Sequence, residues 1–227
     1  LGNLTDCFIC VSEGERKIVI EKRLVNVNKV FVVYNGIEDK GAKDVLNVSN
    51  KIFKIVSLSR FDYAKNMSLA YDIAYAFKDN QNIHFIWVGD GPDYTFLKEK
   101  AEANLVNIDF VGFSQEPMKY LKSSDLYLST SRFEGLPYGL IEAASVGLPI
   151  VATNVIGNNE VCFNRVNGFL YTQMEDSIKA INMLYNDPHL MKYMGENSRK
   201  IYEEKFQIEN MLDGLMKRYS VLLEKRR

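Results

Sequence analysis

Two short runs of the chain hold most of the side chains equipped for chemistry. The first is Ser59-Arg60-Phe61-Asp62-Tyr63-Ala64-Lys65-Asn66. Arg60 offers a planar fork of donors and Lys65 a mobile point charge, a pair suited to phosphate oxygens. The competing reading is a solvated loop with Asn66 capping the next helix. The second run extends from Ser129 to Pro149 and contains Glu134-x7-Glu142. A helix beginning near Pro137 leaves free amides and a positive dipole end, an anion site. Helical side chains lean toward the N-terminus, so Glu142 can point back toward that end. It could also be an ordinary helix-face carboxylate, but Leu140, Ile141, Ala143 and Ala144 surround it, and a charge there is costly without a partner. Carboxylates suit hydroxyls, and cations and amides suit phosphates. A sugar nucleotide carries both kinds of group.

Such residues must be held at one edge of a sheet, and the hydropathy pattern supplies one. Runs rich in β-branched and aromatic residues predict strands at Cys7–Val11, Val30–Val33, Phe53–Leu58, His84–Val88, Ile108–Val111, Leu126–Leu128 and Pro149–Ala152. Leu69, Ala70, Ile73, Ala74 and Phe77 form a helical stripe over about residues 66–79. Further helices are expected at Tyr94–Ala103, Pro117–Lys122, Pro137–Val146, Asp176–Tyr185, Pro188–Lys205 and Ile208–Leu223. Alternating strands and helices imply an α/β, Rossmann-like parallel sheet with helices on both faces, with about five of its strands between Phe53 and Ala152. Small residues Ala143, Ala144 and Gly147 should let the helix from Pro137 sit close on that sheet. Ligands of such sheets bind at the carboxyl ends of the strands. There, Gly89-Asp90-Gly91-Pro92 fails the dinucleotide pattern, since Tyr94 stands where the last glycine belongs, and a tight turn fits better. Gly112-Phe113-Ser114 allows close backbone approach, with Phe113 facing a base or filling the core.

Composition narrows the function classes. The chain has 227 residues, 47% hydrophobic and 25% charged, enough apolar mass for a real core. Its 28 basic and 29 acidic residues leave a formal net charge of -1, without the basic excess expected of a nucleic-acid coat. No apolar run approaches the length of a membrane span. Cys7, Cys10 and Cys162 are an odd set, not a disulfide framework. Cys7-x-x-Cys10 reads as part of a buried strand, since no histidine cluster accompanies it, and a reducing, cytoplasmic setting fits best. No Ser-His-Asp or Cys-His arrangement and no metal-ligand cluster is visible. The chain begins Leu1-Gly2-Asn3, which suggests a fragment. The first 36 residues hold too few elements for a core of their own. We therefore expect residues 1–36 to be the end of a preceding domain, 37–51 a linker, 52–205 the main domain and 206–227 a C-terminal helix.

Together these landmarks resemble a known family. Ser131-Arg132-Phe133-Glu134-Gly135 followed by Glu142-Ala143 and Gly147-Leu148-Pro149-Ile150-Val151-Ala152 resembles the signature of the retaining glycosyltransferases of family 4, the glycosyl transferases group 1, of GT-B fold. Ser59-Arg60-Phe61 with Lys65-Asn66 is similar to the family's phosphate-binding segment. Val88–Pro92, Val111-Gly112-Phe113, Glu160 and Asn167–Leu170 follow in the family's order, and Val11-Ser12-Glu13 and Tyr34–Ile37 are similar to the end of its N-terminal domain.

The resemblance implies the C-terminal, donor-binding half of a GT-B enzyme that moves a hexosyl unit from a UDP-sugar or GDP-sugar with retention of configuration. It implies Arg60 and Lys65 on the diphosphate, Glu142 on the ribose, Glu134 at the transferred sugar and Gly135, Leu136, Pro137, Tyr138 and Gly139 near sugar or phosphate. It also implies Gly112, Phe113 and Ser114 around the base, with Arg60, Lys65 and Glu134 as the catalytic set. No metal and no other cofactor is expected. The acceptor, a saccharide or lipid-linked saccharide, would bind mainly to the absent N-terminal domain, so the fragment would bind nucleotide without transferring sugar. No nucleic acid and no membrane span is implied; the protein would be cytoplasmic, with a peripheral place at the inner membrane face left open. The C-terminal helix would cross back to the N-terminal domain. Two departures stand out: Leu136-Pro137 replaces the usual Phe-Gly, removing an amide, and Ile156-Gly157-Asn158-Asn159 replaces a Gly-rich turn before Glu160. The competing functions are a sugar-nucleotide epimerase or phosphorylase on the same architecture, and a non-catalytic nucleotide-sugar-binding module. The intact Arg60, Lys65, Glu134 and Glu142 argue against a vestigial site.

Overall fold

A computed structural model describes residues 4–43 and 52–224. The chain opens with β1 (Phe8–Cys10), α1 (Glu13–Glu21) and β2 (Val30–Val32), a parallel pair of strands joined by a helix. Ser12 caps α1 by accepting from the Glu15 amide at 3.1 Å. Residues 44–51 of the expected linker lie outside the described residues. Residues 37–43 are stitched to the C-terminal helices: the Ile37 amide donates to Phe206, the Ile208 amide donates back to Ile37, and Asp39 is ion-paired with Arg199.

The main sheet comprises β3 (Phe53–Leu58), β4 (Ile83–Val88), β5 (Ile108–Gly112), β6 (Leu126–Ser129), β7 (Ile150–Thr153) and β8 (Gly168–Tyr171). All pairings are parallel, in the order β5-β4-β3-β6-β7-β8. The chain therefore runs outward one way from β3, returns to β6 beside it and runs outward the other way. Alternate residues of each strand feed opposite faces. Ile55, Phe85 and Leu128 join one buried cluster, while Val56, Ile86 and Tyr127 join the other. Both faces are covered, which explains why these strands read as near-continuous apolar runs.

The helices are α2 (Met67–Tyr75), α3 (Tyr94–Ala103), α4 (Pro117–Lys122), α5 (Tyr138–Ser145), α6 (Asn158–Val161), α7 (Met174–Asn186), α8 (Pro188–Lys205) and α9 (Ile208–Glu224). Three expectations need correction. The α2 stripe ends at Tyr75, because its last turn tightens into bonds from Phe77 to Ala74 and from Lys78 to Tyr75. The sheet gains β8, and α6 adds a turn of helix, neither of which was read from the sequence. Gly147 abuts α8 rather than the sheet: a Cβ on Gly195 would lie 2.6 Å from the Gly147 carbonyl.

α9 has no buried residue and lies along the first βαβ unit, with Arg218 4.0 Å over the Phe31 ring and the Gly36 amide donating to the Met211 sulfur. Among the described residues, no helix is long and apolar enough to cross a membrane.

Candidate functional site

The strand order reverses between β3 and β6, and the loops leaving their carboxyl ends meet there. The loop after β3 is anchored by Phe61, fully buried in edge-to-face contact with Tyr94 and Trp87, with ring centroids 5.1 Å and 6.0 Å apart. Its neighbour Arg60 points outward, its side chain 73% exposed and paired with Asp62 at 3.0 Å. Lys65 turns inward. Its Nζ meets Glu134 Oε1 at 2.5 Å, with the two side chains 21% and 11% exposed. Ser131 Oγ donates to the same Glu134 oxygen at 2.6 Å. Glu134 Oε2 has no hydrogen bond among the described residues.

α5 begins on Tyr138 with Pro137 at its N-cap position. The first amides of the helix, those of Tyr138, Gly139 and Leu140, have no acceptor within it. A Cβ on Gly139 would lie 2.3 Å from the Tyr127 hydroxyl and 3.3 Å from the Leu58 carbonyl, so this helix start sits against the end of β3. The Tyr127 hydroxyl ties the site together. It donates to Leu58 O at 3.1 Å, and its ionisation is pushed up first by burial, then by the charge of Glu142 and, less, of Glu134. One buried hydroxyl thus feels both carboxylates and bonds the strand end two residues before Arg60.

Glu142 is half-buried, its carboxylate has no hydrogen bond among the described residues, and burial raises its proton affinity above the usual carboxylate range. Over the window between the usual and the raised value, the folded state holds a proton that the unfolded state has lost. Stability therefore falls as pH rises through that window. Glu142→Gln should raise the melting temperature at neutral pH by roughly 2–4 °C, about 1 kcal/mol for a chain of this size. The gain should shrink near pH 4.5, the ordinary carboxyl value; an equal gain at both pH values in thermal melts would contradict this account.

Beneath the crevice is a cavity of about 20 Å³ lined by Ser57, Lys65, Ser129, Ser131, Glu134 and Pro137, among others. It has room for little more than a water, so any larger ligand must lie above it. Arg60 and Glu142 are not part of its lining. The turn before α6 closes the site from the β7 side. A Cβ on Gly157 (φ 84°) would lie 2.5 Å from Gly135 O, and Asn158 is fully buried with no partner for its Oδ1 among the described residues. Gly112, Phe113 and Ser114 lie at the same sheet edge but at β5, two strands from β3. Gly112 takes φ 78° and accepts from the Gly89 amide; Phe113 is 78% exposed; Ser114 Oγ accepts from the Glu116 amide. Asn66 stands at the N-cap of α2, as expected, but makes no capping bond.

Some contributors escaped the sequence reading. Ser131 and Tyr127 bind or feel the carboxylates, and the hydroxyl run Ser129-Thr130-Ser131 ending an apolar strand was their available signal. Residues from the first βαβ unit also reach the crevice. Asn35 Nδ2 donates to Leu136 O at 3.0 Å, and a Cβ on Gly135 would lie 2.6 Å from Glu15 Oε1. Glu160 accepts from the Glu13 and Gly14 amides at 2.8 Å each, gripping the N-terminus of α1. Tyr34 lies beside it, its hydroxyl pushed up to about 12 by burial and then by Glu160. These pairs are too distant in sequence for any local signal.

The model of a family described as "Glycosyl transferases group 1" matches residues 38–201. An Escherichia coli protein named UDP-Gal:alpha-D-GlcNAc-diphosphoundecaprenol alpha-1,3-galactosyltransferase is 27% identical, covering 95% of this chain and 60% of that protein. An uncharacterised glycosyltransferase of Haemophilus influenzae is 34% identical, over 92% of this chain and 59% of the relative. The chain thus spans about three-fifths of the length of these relatives. Among solved structures, Anabaena Alr3699/HepE in complex with UDP is 20% identical with a TM-score of 0.86, covering 97% of this chain and 65% of that one. The S. aureus TarM mutant in complex with fondaparinux, alpha-GlcNAc-glycerol and UDP is 24% identical with a TM-score of 0.83, covering 95% and 44%. At these identities the likeness is one of fold.

Proposed function

This chain belongs to the glycosyl transferases group 1 family, and we propose on that basis that the crevice between β3 and β6 holds a nucleoside diphosphate sugar, with UDP as the nucleotide. The observation that carries the reading is the Lys65–Glu134 pair at 2.5 Å, set where the strand order reverses and beside the free amides of α5. It brings a phosphate-type cation and a hydroxyl-type carboxylate to one point. The UDP named in the E. coli relative's donor and held by the TarM and HepE structures supports the choice of nucleotide.

Lys65, Arg60 and the α5 amides are assigned to the diphosphate. Glu134, through an Oε2 that has no partner among the described residues, takes hydroxyls of the transferred sugar, and Glu142 the ribose. Gly135 to Gly139 pass close to sugar and phosphate, and Gly112, Phe113 and Ser114 flank the base. Transfer breaks the bond between the anomeric carbon and the diphosphate oxygen, and negative charge grows on the leaving diphosphate. Preorganised donors stabilise that charge, and losing one well-placed donor costs about 3–4 kcal/mol. The side chains and amides supply this positive charge in our reading, without a metal. In the full-length enzyme, the hexosyl unit passes to an acceptor hydroxyl of a saccharide or lipid-linked saccharide with retention of configuration, as the family 4 resemblance implies. Acceptor binding is assigned mainly to segments outside this chain, so the chain alone should bind donor and transfer little.

Calorimetric titration with UDP, uridine, UDP-sugars and GDP-sugars tests this. UDP should bind far better than uridine. Arg60→Ala should cost about 1.5 kcal/mol of UDP affinity, the low end for a charged hydrogen bond because the side chain is exposed, and leave uridine unchanged. Glu142→Gln should weaken both equally. Equal binding of UDP and uridine by the parent chain would remove the phosphate assignment.

A further inference from the structure

Arg132 stands on the loop after β6, between Ser131 and Phe133, yet its hydrogen bonds run to the loop after β3. Its backbone amide donates to Ala64 O at 2.8 Å, its Nε to Tyr63 O at 3.1 Å and its Nη2 to Asn66 Oδ1 at 2.7 Å. Its guanidinium lies 4.5 Å from the centroid of the Tyr63 ring. No carboxylate is among these partners, so the arrangement is not a surface ion pair. Each contact holds the path of residues 63–66, and a planar guanidinium sets its donors in a fixed fork and stacks on a ring, whereas an ammonium on its flexible stem does neither.

That path turns through the left-handed region. Asn66 has φ 53° and ψ 50°, a conformation that asparagine enters more readily than other side chains but that glycine enters at least cost. The Asn66 side chain makes no capping bond to α2, its carbonyl going instead to Arg132. Two further bonds fasten the intervening residue: Asp62 Oδ1 accepts from the Lys65 amide at 3.0 Å, and Thr130 Oγ1 donates to Lys65 O at 2.9 Å. The loop after β6 thus grips the backbone on both sides of Lys65 and also carries Glu134, the partner of Lys65.

We propose that Arg132 is a positioning residue that clamps the left-handed turn at Asn66 and so presents Lys65 to the diphosphate. What Lys65 receives rests on the function proposed above; the clamp itself rests on the contacts. The test compares the parent with Arg132→Ala and Arg132→Lys, each also in an Asn66→Gly background. Amide hydrogen exchange over residues 62–67 is followed, with titration of UDP and uridine. Arg132→Ala should speed exchange in that segment roughly tenfold while the core strands keep their protection. It should weaken UDP roughly 5–10-fold with uridine unchanged, and Arg132→Lys should recover only part of the loss. Glycine enters the left-handed region freely, so in the Asn66→Gly background the Arg132→Ala effect on exchange should fall to less than roughly half.

Unchanged exchange, or an equal effect in both backgrounds, overturns the clamp. Parallel loss of UDP and uridine overturns the positioning role in favour of a general structural one. Failure of the parent to bind UDP, with the exchange effects present, overturns the proposed nucleotide and leaves the clamp standing.

Discussion

Lys65→Ala should weaken UDP by about 2–3 kcal/mol, roughly 30–150-fold, and lower stability as well. The affinity loss exceeds that for Arg60 because the two cations differ in setting. Arg60 is 73% exposed and solvent-screened, whereas the Lys65 side chain is 21% exposed and close against Glu134. The stability loss has a separate origin: without Lys65, the Glu134 carboxylate, 11% exposed, keeps Ser131 but has no counter-charge. Removing one partner of a fully buried pair costs about 3–5 kcal/mol, and the residual exposure here reduces that to about 1–3 kcal/mol. The double variant Lys65→Met/Glu134→Gln separates the two effects. It removes both charges, so thermal melts should return toward the parent while UDP stays weak in calorimetry. A Lys65→Ala protein that binds UDP as the parent does would end the assignment of Lys65 to phosphate.

Gly157→Ala should destabilise the chain by about 2–4 kcal/mol and act selectively on the sugar end of the donor. The backbone there has φ 84°, and the new Cβ would lie 2.5 Å from Gly135 O and 3.2 Å from Glu134 Cβ. Relief must come from separating the α6 turn from the loop that carries Glu134. UDP-sugar affinity should therefore fall more than UDP affinity, since Lys65 and Arg60 are carried by the separate loop after β3, whose backbone at Lys65 is fixed by Asp62 and Thr130. Gly112→Ala is the natural comparison: it has a similar positive φ of 78°, but among the described residues its Cβ would meet only the Tyr94 hydroxyl, at 3.8 Å. It should show a strain cost of about 1 kcal/mol without the selective loss of the sugar. Equal effects of Gly157→Ala on UDP and UDP-sugar would show that the loop at Glu134 does not meet the sugar.

The contrast between these two glycines indicates where local pattern was informative. β3, β4 and β6 were legible because both faces are buried and most residues of each strand are apolar. α5 was legible from Pro137 and the small residues after it. β8 was not, because it opens on Gly168, a residue that reads as a strand breaker. There the glycine is required: a Cβ would lie 1.8 Å from Ile150 O, so only glycine lets β8 approach β7. α6 is a single turn, too short for any period to show.

The candidate site divides in the same way. The residue types that matter, with their order and spacing, were set by the sequence alone. Arg60 and Lys65 follow one strand, Glu134 and Glu142 flank the start of one helix, and an apolar α5 leaves Glu142 costly to bury. Tertiary structure alone decided which of these groups meet. β3 and β6 are neighbours only because the chain crosses back over the sheet, and that crossover places Lys65 against Glu134 and leaves Arg60 in solvent. The same holds for Glu160, which receives the Gly14 amide across 146 residues of sequence. Local periodicity reports the face a residue buries, whereas the partner it finds depends on which strands the crossovers bring side by side.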